Sequence, residues 1–249
     1  MMRVGVDLGS RTVKVAVVEN GRLVAHRIAE SGFDPVGQAL GLVAEFRPKR
    51  VVATGYGRHL AQKHFAHEVI TEIRAHALGA YHLFPACRTV IDIGGQDSKV
   101  IALDESGRVT NFQMNDKCAA GTGRFLEIMA ASLGYRLDEF GPAALVSGHE
   151  AAITSMCTVF AESEVISLKN QGAPPGNIAR AVHLSVVTRI VAMLSRVGTS
   201  DTVVFSGGVA RNPCMVAFLK ARLPDARVET ADIPDLMGAL GAALQAERG

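Results

Sequence analysis

The 249-residue sequence predicts an α/β fold made of two lobes. The main observation is an internal duplication: the segment that starts at Arg3 returns from Arg88, with Asp, Gly, Lys and Val at one fixed offset. Each copy has the pattern of three short strands separated by glycine-containing turns, and helical segments follow. Because only two copies occur, they indicate duplicated structural units rather than a solenoid.

The strands and helices are predicted from periodicity and from start signals. Residues 13–17 alternate apolar and polar side chains, which predicts a strand with one covered face. Asp34 and Pro35 suit an N-cap and the first helical position, so a helix is predicted from there to Phe46. Further strands are expected at 51–54 and 202–206, and further helices at about 122–133, 158–169, 177–197, 211–222 and 235–247. We place the lobe boundary near Pro85, which gives lobes 1–85 and 86–249, and the final helix is one that can pack back on the first lobe.

Composition excludes several classes of protein. A formal net charge of +2 without a basic stripe gives no reason to expect nucleic acid. An acidic residue, Asp7, comes within one strand length of the start, and no apolar run is long enough to span a membrane. We therefore expect a cytoplasmic protein. The four cysteines form no CxxC pair, which excludes a disulfide scaffold, a zinc knuckle and a ferredoxin-type site within one chain.

Two glycine turns are predicted to bind phosphate. Asp7 and Asp92 each end a strand beside a turn whose N–H groups can surround a phosphate, and both carboxylates are expected near Mg²⁺ and its waters. Gln96 and Asp97 are candidates to orient an attacking water. Ordinary β-turns also need Gly and Asp, but matched duplication favours the functional interpretation. The candidate nucleotide-binding residues of these turns are Gly9, Ser10, Arg11, Thr12, Lys14, Gly94 and Gly95.

A third segment, residues 203–212, is a strand that ends in Gly207 and Gly208 where a helix begins. Such a glycine pair lets backbone approach a flat ligand such as adenine and ribose. The ordered set Asp-Gly-Ser, Asp-Gly-Gly-Gln and Ser-Gly-Gly-Val resembles the phosphate-1, phosphate-2 and adenosine motifs of the actin/Hsp70/sugar-kinase superfamily. This resemblance implies an actin-like (ribonuclease H-like) ATPase fold, with ATP or ADP in a cleft between the lobes. Neither GxxxxGK[ST] nor GxGxxG occurs, so P-loop and Rossmann sites lack their motifs.

Two of the cysteines are candidate metal ligands. Cys118 and Cys157 each precede a predicted helix, and we expect both at helix N-termini, where the macrodipole stabilises thiolates. Small residues up to Gly121 leave room for an inorganic group. Two thiolates are half of the four that a [4Fe–4S] cluster requires, and a two-fold dimer would complete the set. A lone cysteine is more often a packing residue, which is how we interpret Cys87 and Cys214.

The segments around these cysteines, 115–125 and 155–164, resemble those of the 2-hydroxyacyl-CoA dehydratase activators, which are related to the ATPase subunits of benzoyl-CoA reductase. A further match covers residues 53–58. The resemblance implies a homodimer with one [4Fe–4S] cluster, ligated by Cys118 and Cys157 of each chain, and Gly121 and Gly123 as cofactor-binding residues. It also implies that one electron passes from ferredoxin or flavodoxin, with use of ATP, to a partner iron–sulfur enzyme.

Three alternatives remain open from the residues. A small-molecule kinase of the same fold would need a catalytic base, and Asp116 is the candidate for it. An actin-like scaffold or chaperone would use ATP only as a switch. The third alternative keeps the ATP-dependent redox protein and changes its client to an aromatic-ring reductase or another double-cluster reductase.

Overall fold

The computed structural model describes residues 2–147, 151–154 and 157–249, which form two mixed five-stranded sheets with helices. The strand order is β3-β2-β1-β4-β5 in one sheet and β10-β9-β6-β7-β8 in the other. The strands are β1 (Arg3–Leu8), β2 (Thr12–Glu19), β3 (Arg22–Glu30), β4 (Arg50–Thr54), β5 (Glu68–Val69), β6 (Thr89–Ile93), β7 (Ser98–Leu103), β8 (Val109–Asn115), β9 (Thr202–Ser206) and β10 (Arg227–Thr230). The helices are α1 (Pro35–Ala44), α2 (Arg58–His64), α3 (Glu72–Leu83), α4 (Gly123–Ser132), α5 (Leu137–Leu145), α6 (Thr158–Asn170), α7 (Pro175–Val197), α8 (Pro213–Arg222) and α9 (Met237–Arg248).

The chain divides into two compact units. The first contains residues 1–90, 101–112 and 231–249, and the second contains residues 91–100 and 113–230. The lobe boundary near Pro85 stays a prediction. Since α9 belongs to the first unit, that unit combines elements from both ends of the sequence.

In the first unit, β1 is the central strand of its sheet. It pairs antiparallel with β2, from Arg3 opposite Val18 to Leu8 opposite Val13, and parallel with β4. One face of this sheet packs against α1 in an aliphatic cluster whose buried members include Val4, Val6, Val15 and Val17. Alternate side chains of β2 enter this core, as the pattern predicts. The prediction of a single covered face is wrong, because Ala16 and Val18 on the other face are buried against α9.

The opposite face of the same sheet packs against α9 at very short range. A Cβ atom added to Gly5 would lie 2.0 Å from the carbonyl oxygen of Ala239 and 2.2 Å from the backbone nitrogen of Ala243. One added to Gly241 would lie 1.8 Å from the carbonyl oxygen of Ala75 in α3. Backbone therefore contacts backbone at both positions, and only glycine permits that distance.

The core of the second unit surrounds α7. Its largest fully buried side chains include Phe125, Phe140 and Phe205, and α7 contributes Ile178, Val182 and Ile190 among others. Among the described residues, α7 is long and apolar enough to pass a length-and-composition test for a membrane span, with half of the tested window buried in the protein. Its buried side chains are members of the core, so packing accounts for their apolar character.

The mixed α/β class that the sequence predicts is confirmed, and so are helices at all six predicted places. The sequence analysis did not specify α2, α3 or α5. In α3 the side chains that the fold buries are alanine, glycine and His76, which give little amphipathic contrast. In α5, Pro142 lies inside the helix and conceals its pattern.

The contact between β1 and α9 gives a stability prediction. Gly5→Ala places a methyl group on backbone atoms that cannot rotate away, so we expect a loss of at least about 3 kcal/mol in the free energy of unfolding. The matched control is Gly41→Ala in α1, where nothing lies within 4 Å of the added Cβ. That control should be neutral or stabilising by up to about 1 kcal/mol. Urea unfolding measures both, and equal stability of the two variants would contradict the close packing.

Candidate functional site

The first glycine turn joins β1 to β2. Asp7 is nearly buried at the end of β1, and its Oδ2 accepts a hydrogen bond from Lys14 Nζ at 3.1 Å. The N–H of Gly9 donates to the carbonyl of Thr12 at 3.1 Å and closes the turn. Ser10 and Arg11, at the tip, are exposed. A carboxylate and its lysine thus lie beneath an exposed backbone turn, as a phosphate-binding turn requires.

The second glycine turn joins β6 to β7 and repeats this geometry. The N–H of Gly94 donates to the carbonyl of Asp97 at 2.9 Å. Lys99 Nζ lies 3.2 Å from Asp92 Oδ2 and 2.7 Å from Asp97 Oδ1. All three side chains are at most 6% exposed, so this lysine holds two carboxylates away from solvent. Of the two candidates for orienting water, Asp97 is bound by Lys99, whereas Gln96 is exposed at the tip.

The duplication extends further in the structure than the sequence analysis found. Gly55 follows β4 with a φ of +88°, and a Cβ there would lie 2.5 Å from Asp7 Oδ1. Gly207 follows β9 with a φ of +85°, and a Cβ there would lie 2.7 Å from Asp92 Oδ1. A glycine therefore packs against the carboxylate in each unit, where a side chain would not fit. The signal was present in Val-Val-Ala-Thr-Gly at 51–55 and Val-Val-Phe-Ser-Gly at 203–207.

The adenosine candidate segment is fixed at both ends. Ser206 Oγ donates to Asp92 Oδ1 at 3.1 Å, which ties the end of β9 to the second glycine turn. Gly208 is exposed and begins a short 3-10 turn to Arg211. Asn212 then caps α8, because its Oδ1 accepts from the N–H groups of Cys214 and Met215 at 3.0 and 3.2 Å.

A buried histidine supports this cap. The ring of His183 in α7 is fully buried, with Nδ1 2.7 Å from the carbonyl oxygen of Ala179 and Nε2 2.9 Å from Asn212 Nδ2. Desolvation lowers the pKa of His183 to about 4, so the ring is neutral, Nδ1 donates and Nε2 accepts from the amide. The sequence analysis did not single out His183, since no spacing pattern marks a histidine that serves a cap on another helix.

The second glycine turn also contacts the start of α4. The N–H groups of Gly123 and Arg124 donate to the carbonyls of Gly94 and Gly95, both at 2.8 Å. A Cβ on Gly123 would lie 2.9 Å from the Gly94 oxygen, so glycine is required for this approach. The structure therefore brings three predicted glycines together at one point in the second unit.

Cys118 lies in the loop before α4, partly buried against the core of the second unit. The prediction that it occupies a helix N-terminus is wrong, because α4 begins only at Gly123. Gly121 has a φ of +90°, which interrupts any helical path, and the side chain of Asn115 donates to two carbonyls of the loop. The first N–H groups of α4 are already used by the glycine turn.

Cys157 lies at a helix N-terminus, as predicted. It is exposed, has extended backbone angles, and is the N-cap of α6, with its carbonyl accepting from the N–H of Ala161 at 2.9 Å. Ser155 and Met156, which belong to the matching segment, lie outside the described residues. Among the residues that the structure describes, no group of three or more His, Cys, Asp or Glu side chains is arranged to hold a metal ion.

The other two cysteines are buried. Cys87 Sγ donates to the carbonyl of Thr89 at 3.3 Å, and burial raises the pKa of Cys214 to about 12. A thiol with so high a pKa stays protonated and is a poor ligand. Both therefore have the environment of packing residues.

The surroundings of Asp7 include a histidine that was not predicted from the sequence. His76 in α3 is buried, and its Nε2 would lie 3.0 Å from a Cβ on Gly238, while Asp7 Oδ2 would lie 3.4 Å from the same point. The ring and the carboxylate thus meet the same glycine at the start of α9. The signal that could have found His76 is its place on the buried face of a helix otherwise lined by small residues.

The chain is similar to known proteins both in sequence and in fold. The model of the BadF/BadG/BcrA/BcrD ATPase family matches residues 4–246. The structure of (R)-2-hydroxyglutaryl-CoA dehydratase component A from Acidaminococcus fermentans is 38% identical, with a TM-score of 0.93 over 100% of this chain and 98% of that one. The activator of the 2-hydroxyisocaproyl-CoA dehydratase from Clostridium difficile, solved with bound ADPNP, is 42% identical, with a TM-score of 0.91 over 99% and 94% of the two chains.

A more distant structure establishes the fold class. A ROK family glucokinase from Streptomyces griseus, at 16% identity, superposes with a TM-score of 0.64 over 100% of both chains. This likeness concerns the fold alone. It confirms the predicted actin-like fold, which ATPases and sugar kinases share.

The two lysines of the duplicated turns give a matched pair of variants. Lys99→Met leaves two buried carboxylates without their cation, and we expect it to cost about 3–5 kcal/mol of unfolding free energy. Lys14→Met removes one partner from a carboxylate that is 10% exposed, so its cost should be clearly smaller. Urea unfolding of both variants tests the difference, and a larger loss for Lys14→Met would contradict the geometry.

His183 predicts a pH dependence of stability. Its folded pKa of about 4 lies below the usual 6.5, so the unfolded chain binds more protons between these values. The stability due to neutral His183 is complete above pH 6.5 and decreases as pH falls towards 4, by about 3 kcal/mol in total. His183→Gln, which carries no titrating group, should lack this part of the acid sensitivity. If the wild type and the variant lose stability in parallel from pH 7 to 4, the assignment is wrong.

Proposed function

The chain belongs to the BadF/BadG/BcrA/BcrD ATPase family, and from that premise we propose that it is an ATP-dependent one-electron transfer protein. It takes a low-potential electron from ferredoxin or flavodoxin in the cytoplasm. The electron passes through a [4Fe–4S] cluster shared by two copies of the chain to a partner iron–sulfur enzyme, such as a 2-hydroxyacyl-CoA dehydratase. The observation that carries the proposal is the pair of hydrogen bonds from α4 to the second glycine turn.

We propose the two glycine turns and the adenosine segment as the nucleotide-binding elements. We propose that their exposed N–H groups bind the phosphates, and that Asp7 and Asp92 act on Mg²⁺ through its waters. Gln96 is open to solvent and orients the attacking water, while Asp97, held by Lys99, fixes the shape of the turn. Gly207 and Gly208 admit adenine and ribose close to the backbone. The relative solved with ADPNP supports a nucleotide in this family.

The two cysteines fit a cluster shared between chains. Cys157 is exposed and therefore accessible to a second copy, and Cys118 is only partly buried. Two thiolates per chain are half of the four that a [4Fe–4S] cluster takes, so thiolates from a second copy would complete the set. A two-fold axis supplies the same two from the second copy. When bound, the cluster supplies the one-electron carrier that side chains cannot provide.

We propose that the contact between the second glycine turn and α4 couples the bound nucleotide to the potential of the cluster. Gly94 and Gly95 accept hydrogen bonds from the first turn of α4, and the Cys118 loop runs directly into that turn. Loss of the γ-phosphate changes what the glycine turn binds, so the turn and α4 shift together. This shift affects the surroundings of Cys118 and hence the potential of a bound cluster. It occurs only if the nucleotide binds the two arrangements with different affinity.

The alternatives receive less support. The kinase interpretation needs Asp116 as its catalytic base. Asp116 is an exposed residue two positions before Cys118. The solved proteins at 38% and 42% identity are named a dehydratase component and a dehydratase activator, which supports the role of a dehydratase activator over that of a sugar kinase or a scaffold. An aromatic-ring reductase as client would use the same residues, and therefore differs from the proposal only in the partner.

Anaerobic reconstitution with iron and sulfide tests the proposal. We expect a brown dimer with about four iron atoms per two chains. Cys118→Ser and Cys157→Ser should each lose iron and dimerisation, because each removes two of the four ligands. Cys214→Ala is the control, since this buried thiol stays protonated and the variant should keep its iron. A colourless monomer with the wild-type sequence would refute the shared cluster.

The same material tests the coupling. The cluster potential should differ between the ADP form and the form with a non-hydrolysable ATP analogue, and ATP hydrolysis should require Mg²⁺. Identical potentials and identical affinity for the partner enzyme in both forms would leave an ATPase without redox coupling.

A further inference from the structure

We propose that Asn115 is a positioning residue for the Cys118 loop, and that it orients the loop so that backbone N–H groups of residues 119–121 donate hydrogen bonds to the sulfur of the cluster site. The inference rests on the proposed function, because the sulfur acceptors are those of Cys118 and of the bound cluster. Asn115 is the last residue of β8 and none of the comparisons assigns it a role.

The side-chain amide of Asn115 bridges two carbonyls of the loop. Its Nδ2 donates to the carbonyl oxygen of Cys118 at 2.9 Å and to that of Ala120 at 2.9 Å. Both hydrogens of one amide group are thereby used on residues three and five positions further along the chain. A rigid strand end thus holds the loop closed without any metal.

The carbonyl between these two is also bound. Thr122 donates to the carbonyl oxygen of Ala119 through its backbone N–H at 3.0 Å and through its hydroxyl at 2.5 Å. The carbonyls of three consecutive residues, 118, 119 and 120, therefore all accept hydrogen bonds from Asn115 or Thr122. Because these carbonyl oxygens already accept hydrogen bonds, their partial negative charge is directed at donors and not at an anionic group beside the loop.

The N–H groups of the same loop are in the opposite situation. Those of Ala119, Ala120 and Gly121 have no hydrogen-bond partner within the described part of the chain. Ala120 and Gly121 are buried residues, and buried N–H groups are rarely left without an acceptor. We therefore expect these N–H groups to donate to an anionic acceptor, and the chemistry that fits is the sulfur of Cys118 and of an iron–sulfur cluster.

A helix dipole does not fill this role at Cys118. The first two N–H groups of α4 donate to Gly94 and Gly95, so they are not available to a thiolate. The loop amides replace them. Hydrogen bonds to cluster sulfur stabilise the more negative, reduced state and raise the reduction potential. Asn115 consequently affects the potential without touching the cluster.

The first measurement uses the apoprotein, so that it does not depend on cluster binding. Alkylation of each cysteine by iodoacetamide is followed by peptide mass spectrometry in the wild type, Asn115→Ala and Asn115→Asp. We expect Cys118 to react several-fold faster in both variants, because the loop opens. The rate at Cys157 should be unchanged, and the buried Cys87 and Cys214 report any unfolding.

Asn115→Asp distinguishes the effect of the hydrogen bonds that Asn115 donates from the effect of its size. Aspartate has the same size but no donor at neutral pH, so it should behave as the alanine variant does and not as the wild type. Asn111→Ala is the matched control, since Asn111 is an exposed asparagine on the same strand whose Oδ1 accepts from the adjacent N–H of Phe112.

The second measurement uses reconstituted protein. Asn115→Ala should lower the cluster potential relative to the wild type, whereas Asn111→Ala should leave it unchanged. An unchanged rate of Cys118 alkylation in both Asn115 variants would overturn the inference. Faster alkylation of Cys118 combined with an unaltered cluster potential would overturn it too. If the wild type binds no cluster although Cys118 responds to Asn115, the proposed function fails, and with it the sulfur acceptors, while the closed loop stands as measured.

Discussion

The two main-chain hydrogen bonds between the start of α4 and the second glycine turn are the contact on which the candidate site of the second unit depends. They connect the loop that carries Cys118 to the turn that is the candidate for phosphate binding. The connection requires Gly123, because any larger residue would separate the turn from the helix. Since the bonds are backbone to backbone, neither partner can move by a side-chain rotation alone, and a change at the turn reaches the loop through peptide groups.

Duplication gives the protein two similar turns with unequal interiors. In the first unit Lys14 pairs with Asp7 and retains some exposure, whereas in the second Lys99 is buried between Asp92 and Asp97. A buried cation between two carboxylates fixes their positions strongly, because separation of any partner leaves an unpaired charge in a low-dielectric region. The second turn is therefore the more rigid of the two. This rigidity suits the turn that contacts α4, since a deformable turn would not pass a displacement on.

Much of the fold could be predicted from the sequence, and for physical reasons. Asp, Gly and Lys recur at a fixed offset because the same ion pair and the same turn closure form in each copy, so the pattern directly records the contacts. The equivalence of Thr54-Gly55 with Ser206-Gly207 escaped notice because the two segments share only a pair of valines, a hydroxyl and a glycine, without the Asp and Lys that mark the turns. Asn115 and His183 lay beyond sequence reasoning for another reason. Asn115 binds backbone carbonyls of an irregular loop and His183 binds the cap of another helix, and no residue pattern reveals either contact.

The packing of α9 against Gly5 has a consequence for how the chain is made. The ribosome synthesises β1 first and α9 only after every residue of the second unit, so the back of the first sheet stays uncovered during most of translation. The second unit, apart from the strand residues at 91–100, is continuous in sequence and can assemble while this happens. An aliphatic sheet surface that waits so long is a target for chaperones, and slow elongation through the middle of the message would lengthen its exposure.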